Sequence, residues 1–215
     1  MPKSPLQVRA ESARLAKALG YPEPPAHLPL SEDVDSNYIK PLPDVVDRIA
    51  SLHAVVACTF GLDGKQALIW LEQHGADRML TAEERLLLAK KASKLDLATR
   101  LQKRIEALWA LCWSVGCVEQ LSFGEYCQGH LCDLLPDIST NASLAEFRAE
   151  ARLRPRHEIV ELADLAYCLD WAVVEAHMKD MPEPGPVDGY VICERRHALS
   201  WTLSPEEWDE VSLDT

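Results

Sequence analysis

Residues 97–115 read LATRLQKRIEALWALCWSV and contain the clearest helical pattern in the chain. Their apolar side chains recur every three or four positions, at Leu97, Leu101, Ile105, Leu108, Cys112 and Val115. That spacing places them on one face of an α-helix, whereas a strand would alternate apolar and polar residues. We therefore predict one long amphipathic helix that ends near Gly116.

Similar spacing on both sides of this stretch predicts further helices. Asp44 is the expected N-terminal cap of one of them, and Thr81 with Glu84 forms the capping-box signature of another. These helices cover residues 6–19, 44–60, 81–88, a short segment opened at Ser143, residues 157–177 and residues 190–203. Strand-like alternation is nearly absent, so an all-α fold is expected.

Two proline-rich segments separate these helices. They are residues 21–29, YPEPPAHLP, and residues 181–186, MPEPGP. Proline cannot continue a helix because it lacks the backbone N–H and its ring clashes with the preceding turn. We predict a single domain over residues 1–215, an irregular helical bundle in which residues 1–40 form an N-terminal helix and a proline-rich connector.

The composition is that of a globular protein of the cytosol. The 215 residues are 47% hydrophobic and 26% charged, which is enough apolar material for a sizeable core. No run of about 18 apolar residues is present, and the N-terminus lacks the apolar stretch of a signal peptide. The seven cysteines are an odd number at low density, which indicates reduced thiols and a cytoplasmic location.

Negative charge is concentrated in the second half of the chain. The formal net charge is −12, of which residues 1–93 contribute −1 and residues 94–215 contribute −11. Such a surface repels phosphate backbones and anionic lipids, so neither a nucleic acid nor a membrane is expected as a partner. A basic protein is the partner that this charge favours.

Three predicted helices each carry an acid followed at positions +3 and +7 by aromatic rings. The sets are Glu106, Trp109 and Trp113; Asp164, Tyr167 and Trp171; and Glu194, His197 and Trp201. That spacing puts each acid beside the aromatic surface of its helix. A buried carboxylate needs a cation or donors, and Arg195 and Arg196 are the nearest cations in sequence to Glu194.

This pattern has two interpretations, a buried polar network that fixes how the helices pack and a cleft that binds a ligand. The network is the favoured interpretation. The residues that would bind a ligand or partner are Glu106, Trp109, Asp164, Trp171, Glu194, Arg195, Arg196, Trp201, Trp208 and Asp209.

A metal site and a catalytic nucleophile find less support. Residues 127–132 read CQGHLC. Cys127, His130 and Cys132 of this stretch, together with the nearby Cys112 and Cys117, could supply the thiolates and the imidazole of a tetrahedral zinc site. Their spacing is not the usual Cys-x-x-Cys, and buried cysteines are common in helical cores. The chain also lacks a Gly-x-Ser-x-Gly elbow and a phosphate-binding glycine loop. We predict neither a cofactor nor a catalytic residue, with a zinc-stabilised scaffold as the alternative.

Four stretches resemble a known family. Residues 104–111, 164–172, 193–201 and 208–215 are similar to the bacterial family named domain of unknown function 4272, most specifically in the motifs Glu-Arg-Arg-x-Ala-Leu-x-Trp and Trp-Asp-x-Val-x-x-Asp-Thr. The similarity runs from about residue 100 to the end and is loose before that. Cys168 and Ser200 depart from the family pattern, which often has a basic residue and usually an asparagine there. The resemblance implies an all-helical bacterial domain without an established activity.

These observations lead to two hypotheses about function. The first is a non-catalytic interaction protein, of the immunity or adaptor type, whose acidic surface masks a basic partner. The alternative is an enzyme or small-ligand binder with a pocket of carboxylates, arginines and tryptophans.

Overall fold

A computed structural model describes residues 3–30, 38–89 and 95–214, and this part of the chain is all-α. Its helices are α1 (Pro5–Ala18), α2 (Leu42–Thr59), α3 (Gly64–His74), α4 (Ala82–Leu88), α5 (Leu95–Gln102), α6 (Ile105–Ser114), α7 (Ala145–Glu150), α8 (Arg156–Met178) and α9 (Gly189–Thr202). Short 3-10 turns lie at Asp77–Met79, Gly129–Leu134, Ile138–Thr140 and Trp208–Glu210. No strand occurs within these ranges, which confirms the predicted fold class.

Two predicted features fall partly outside these ranges. Residues 31–37 of the predicted connector and Thr215 of the C-terminal motif are not among the described residues. The proline-rich residues 21–29 and 181–186 are described, and neither segment contains a helix.

The chain forms two compact units, each discontinuous in sequence. The terminal unit comprises residues 1–40, 120–126 and 154–215, and the central unit comprises residues 41–119 and 127–153. Neither unit is a continuous segment, since the chain crosses between them four times. That there is one domain over residues 1–215 stays a prediction.

Helix α8 is the central element of the terminal unit and packs against both α1 and α9. The start of α1 is fixed by a capping box, in which the Ser4 hydroxyl accepts from the Gln7 amide and the Gln7 side chain accepts from the Ser4 amide. Cys168, Leu169 and Val191 are among the buried side chains that these helices contribute to the core.

Helix α2 has the same central role in its own unit, where it contacts α3, α4, α5 and α6. Every residue from Val45 to Val56 is buried, as expected for a helix surrounded by others. Trp70 of α3 also lies in the core of this unit. Its side chain is 1% exposed, and its indole N–H donates to the Ala142 carbonyl at 2.7 Å.

The structure corrects the prediction of one continuous helix over residues 97–115. Helix α5 ends at Gln102 and α6 begins at Ile105. At the break, the Lys103 and Arg104 amides bond to carbonyls three residues back, at 3.2 and 3.1 Å, instead of four. An apolar spacing of three or four residues does not distinguish one helix from two joined by such a tight turn.

The structure differs from the predicted helices in two further respects, the start of α2 and the presence of α3. Helix α2 begins at Leu42, and Asp44 is not its cap, because the Asp44 carboxylate instead accepts from Arg78 at 2.7 Å. Helix α3 was not predicted, although Asp63 caps its amides and Gly75, at φ 66°, ends it in the left-handed conformation.

None of the helices in the described ranges is long and apolar enough to cross a membrane.

Candidate functional site

Asp164 of α8 is paired with an arginine that lies far away in sequence. The carboxylate is 1% exposed and accepts from Arg9 of α1, at 3.1 Å from Nε and 2.8 Å from Nη2. The same guanidinium donates to the carbonyls of Leu28 and Pro29 at 3.2 and 2.7 Å. The Arg9 side chain therefore compensates the buried charge and also fixes the proline-rich segment against α1.

Arg196 of α9 forms a second buried pair in the terminal unit. Its guanidinium donates to Asp170 of α8 and to the carbonyls of Leu213 and Asp214, the latter two at 3.0 and 2.9 Å. Burial raises the pKa of Asp170, although the nearby Arg196 charge opposes that change. The pair thus joins α8 and α9 to the C-terminal segment.

Tyr167 lies between these two pairs. The guanidinium carbons of Arg9 and Arg196 are 5.6 and 4.9 Å from the centre of its ring, within the range of cation–π contacts. Next to it, burial and the Asp164 charge raise the pKa of Cys168 to about 12. The result is a connected network of arginines, aspartates and one aromatic ring.

Arg195 has a different role from its neighbour. It is fully buried, and its guanidinium donates to the carbonyls of Ser122 and of Glu125, the latter at 2.8 Å. It also lies 5.9 Å from the centre of the Phe123 ring. Arg195 therefore fastens the segment 120–126 to α9, and Glu194 beside it is half-buried.

Trp201 and Trp208 belong to an aromatic cluster that holds the C-terminal segment. Their ring centres are 5.4 Å apart, and the His197 ring lies 4.4 Å from that of Trp208. The Nε2 atom of His197 is 2.8 Å from the Trp208 carbonyl. Lys40 lies 5.0 Å from the Trp201 ring and donates to the Glu206 carbonyl at 2.7 Å. Asp209, next in the chain, is exposed.

Glu106 and Trp109 belong to the central unit, whereas the other candidate residues belong to the terminal unit. Both are buried, and the Glu106 carboxylate accepts from the Cys127 amide at 2.9 Å. The three predicted sets of an acid and two aromatic rings are therefore divided between the two units. Trp171 is half-buried in the terminal unit, where it lines a cavity of about 440 Å³ together with Tyr21.

A second cavity of the terminal unit adjoins the arginine network. Its volume is about 530 Å³, and its lining includes Arg156, Tyr167, Arg196, Ser200 and Asp214. Arg196 is the one residue of the predicted binding set in this lining. Of the others, Asp164 is engaged by Arg9 and the Arg195 guanidinium by backbone carbonyls.

Sequence reasoning missed Arg9 and Asp170, which supply the charges that Asp164 and Arg196 require. Arg9 precedes Asp164 by 155 residues, so spacing along one helix could not connect them. The sequence offers one energetic argument for such a partner, because a buried carboxylate requires a cation nearby. That argument does not identify the cation.

The cysteines do not form the predicted alternative of a zinc site. No three or more His, Cys, Asp or Glu side chains within the described ranges are arranged to hold a metal ion. Instead, the thiols of Cys112 and Cys117 share a hydrogen bond. Burial raises the pKa of Cys112 well above its usual value, whereas this hydrogen bond lowers the pKa of Cys117.

Similarity to other proteins identifies a family. No curated protein and no solved structure is significantly similar to the chain. The model of the family described as Domain of unknown function (DUF4272) matches residues 9–211, which includes residues 9–100, where the motif resemblance is loose. A match over nearly the whole length shows that the chain belongs to this family.

Proposed function

We propose that the protein is a non-catalytic interaction protein, of the immunity or adaptor type, that binds a basic protein on the acidic surface of its terminal unit. The charge of that unit is the observation that carries the proposal. Its ranges contain 10 Lys and Arg against 20 Asp and Glu, a net charge of −10, whereas the central unit has 12 against 14, a net charge of −2. The field that attracts a cationic partner thus originates in one unit.

The excess of acids extends to the surface. Among the described residues of the terminal unit, ten acids are exposed but only four basic residues, Lys3, Arg14, Lys17 and Lys179. The partly buried Arg9 and the buried Arg196 are already neutralised by aspartates. The exposed acids are Glu23, Glu125, Asp180, Glu183, Asp188, Glu206, Glu207, Asp209, Glu210 and Asp214.

Half of these exposed acids lie in the acidic segment, residues 204–214, which contains no lysine or arginine. The segment is held by the buried Trp208 ring, by the Lys40 bond to Glu206 and by the Arg196 bonds to its last carbonyls. Because its backbone is already fixed, a partner would bind it with little further loss of conformational entropy. This preorganisation supports the choice of the acidic segment as the centre of the interface.

The buried charges support a structural role over a catalytic one. Asp164 and Arg196 make bidentate or multiple contacts inside the unit, so their charges are used in packing. We extend the proposal to a bacterial cytosol, the location that the family resemblance and the seven reduced thiols favour.

The experiment is a comparison of two fourfold variants in affinity purification from a lysate of the organism that carries the gene. The test variant neutralises the acidic segment, and the control neutralises the same number of exposed acids in the central unit. The substitutions are Glu206→Gln, Glu207→Gln, Asp209→Asn and Glu210→Gln in the test, and Glu72→Gln, Asp133→Asn, Glu146→Gln and Glu150→Gln in the control.

We expect the wild type and the control to retain the same basic protein equally, and this protein should elute as salt is raised. The test variant should retain it at least about tenfold less, which corresponds to roughly 1.4 kcal/mol of binding free energy. Equal retention by both variants, or a stoichiometric partner that is itself acidic, would contradict the proposal.

A second candidate function is that of a small-ligand binder, and the cavity of about 530 Å³ favours it. Such a volume suits a small molecule, and Arg156 would be the residue that attracts an anion there. Succinate and inorganic phosphate are suitable probes in calorimetry. Binding that is lost in Arg156→Gln and kept in Arg14→Gln would support this function, and heats indistinguishable from dilution for both probes would exclude these two ligands.

A further inference from the structure

The central unit contains a cavity that the proposed function does not use. Its volume is about 610 Å³, and it lies between the C-terminal half of α2, the start of α6 and the segment 131–139. This volume is within the range of about 300–1,000 Å³ that is usual for small-molecule sites. The cavity is formed by residues of one compact unit, so its shape depends only on packing within that unit.

Most of the cavity wall is apolar. Helix α2 contributes Val56 and Ala57, its C-cap contributes Phe60, and α6 contributes Ile105 and Leu108. Phe60 is a large aromatic side chain that remains 64% exposed, so apolar surface extends from the cavity to solvent. Hydrocarbon placed here would gain about 25 cal/mol for each Å² removed from water.

His53 of α2 is a polar, nearly buried side chain in this apolar wall. It lines the cavity, is 7% exposed, and its Nε2 lies 3.0 Å from the Pro136 carbonyl. Because a carbonyl only accepts, Nε2 carries the proton and Nδ1 of the neutral ring has a lone pair. Burial lowers the pKa of His53, although the Pro136 bond and the Asp137 charge oppose this, so the ring is neutral near physiological pH.

The charged groups in the lining are all negative. Asp133 and Asp137 line the cavity, and no lysine or arginine is among the described residues that do so. Hydrogen bonds from Ser139, opposed by slight desolvation, lower the pKa of Asp137, which keeps it ionised. Asp133 is exposed. Neither the neutral His53 nor the two aspartates would compensate a ligand carboxylate, whereas a cation complements both acids.

We propose that this cavity binds an aliphatic amine. The hydrocarbon chain would lie against the walls of α2 and α6, and the ammonium group would donate to a carboxylate of the lining, Asp133 or Asp137, and to His53 Nδ1. The inference concerns the central unit and is independent of the basic partner proposed for the terminal unit.

The test compares three probes with the same hydrocarbon chain, 1-octylamine, 1-octanol and octanoate, by calorimetry on the full chain. We expect 1-octylamine to bind most tightly and octanoate least tightly. The ¹⁵N chemical shift of His53 Nδ1 should move on titration with 1-octylamine, because its lone pair accepts a hydrogen bond. Octanoate binding as tightly as 1-octylamine, or no measurable binding of any of the probes, would overturn the proposal.

Two variants locate the binding. Ala57→Phe fills the cavity and should abolish binding of both 1-octylamine and 1-octanol. Asp133→Asn keeps the cavity and should weaken 1-octylamine about two- to fivefold, the range for an exposed ion pair, while leaving 1-octanol unchanged. The control is Glu72→Gln, an exposed acid outside the lining, for which no change is expected. Equal weakening by Glu72→Gln would show that the amine binds through surface charge and not in this cavity.

Discussion

At the scale of single residues, the buried ion pair of Arg48 and Glu84 shows how the surroundings of a carboxylate determine whether it is ionised. Each side chain is 1% exposed, and the two pairs of atoms, Nη1 with Oε2 and Nη2 with Oε1, are both 2.7 Å apart. Burial acts to raise the pKa of Glu84, but the Arg48 charge and hydrogen bonds, together with the Thr81 amide, bring it below its usual value of 4.5. The pair is therefore ionised in the folded protein under all but acidic conditions.

The first prediction concerns Glu84→Gln. Glutamine can still accept from the Thr81 amide but leaves Arg48 buried without a counter-charge, which should cost about 3–5 kcal/mol near neutral pH. Because the folded pKa of Glu84 is depressed, its contribution is present above pH 4.5 and is lost as pH falls through the folded pKa. Urea unfolding at neutral and acidic pH should show the difference between wild type and variant shrink in acid.

The control for this prediction is Glu83→Gln, which removes an exposed carboxylate paired with Arg100. We expect a change within about 0.5 kcal/mol, as is usual for surface substitutions. A Glu84→Gln variant as stable as the wild type at neutral pH would contradict the account of the pair.

The second prediction concerns the thiols of Cys112 and Cys117. The lowered pKa of Cys117 gives it more thiolate at mildly alkaline pH, whereas the raised pKa of the buried Cys112 keeps it protonated. Alkylation with iodoacetamide, followed by peptide mass spectrometry, should modify Cys117 well before Cys112. Cys168, with a pKa of about 12, should also remain unmodified and serves as the reference. Faster modification of Cys112 than of Cys117 would be inconsistent with this arrangement.

Some residue roles could be inferred from the sequence and others could not. The rule that a buried carboxylate needs a cation drew attention to Arg196, which the structure pairs with Asp170. It also indicated a partner for Asp164, but the partner is Arg9, because α1 packs on α8 from the opposite end of the chain. Spacing along one helix contains no information about such a distant pair.

At the scale of elements, the approach of α3 to the end of α4 depends on a glycine. A Cβ atom built on Gly64 would overlap the backbone carbonyl of Leu88. In an ordinary helix, replacement of glycine by alanine stabilises by about 0.5–1 kcal/mol. Here the overlap involves backbone, which cannot move aside as a flexible side chain can.

The third prediction is that Gly64→Ala destabilises the protein by about 1–3 kcal/mol, the usual cost of overpacking. Gly129→Ala is the matched control, because a Cβ there meets nothing within 4 Å. The control should be neutral or more stable by up to about 1 kcal/mol. Thermal unfolding of both variants measures the contrast, and equal midpoints would show that α3 and α4 do not pack this closely.

The fourth prediction concerns the attachment of the acidic segment. Arg196→Gln removes the donors to Leu213 and Asp214, so backbone amides in residues 211–214 should exchange with deuterium faster than in the wild type. Arg14→Gln, which removes an exposed pair with Glu11, should leave this exchange unchanged. Unchanged exchange in Arg196→Gln would mean that the segment is held by other contacts alone.

Helices with long amphipathic patterns were predicted well, because their signals are local. Helix α8 was expected over residues 157–177 and occupies Arg156–Met178, and α9 was expected over 190–203 and occupies Gly189–Thr202. The break between α5 and α6 was missed because the apolar spacing continues through it. The origin of α2 at Leu42 was missed because Asp44 resembles a cap but pairs with Arg78 of the same unit.

At the scale of the whole molecule, the sequence already located the negative charge but not the body that carries it. Residues 94–215 have a net charge of −11, yet this half contributes to both units. The terminal unit collects residues from both ends of the chain and has a net charge of −10. Which distant segments form one surface is a tertiary property, and a count along the chain cannot supply it.

The fifth prediction is the most direct test of the central claim, that the acidic surface of the terminal unit attracts a basic protein. The test measures the rate constant with which the purified partner associates with the protein, by stopped flow over a range of salt concentrations. For the wild type this rate should fall steeply as salt is added, as in electrostatically steered association. The variant of Glu206, Glu207, Asp209 and Glu210 should have a lower rate and a flatter salt dependence. The same rate and salt dependence in both proteins would contradict the account.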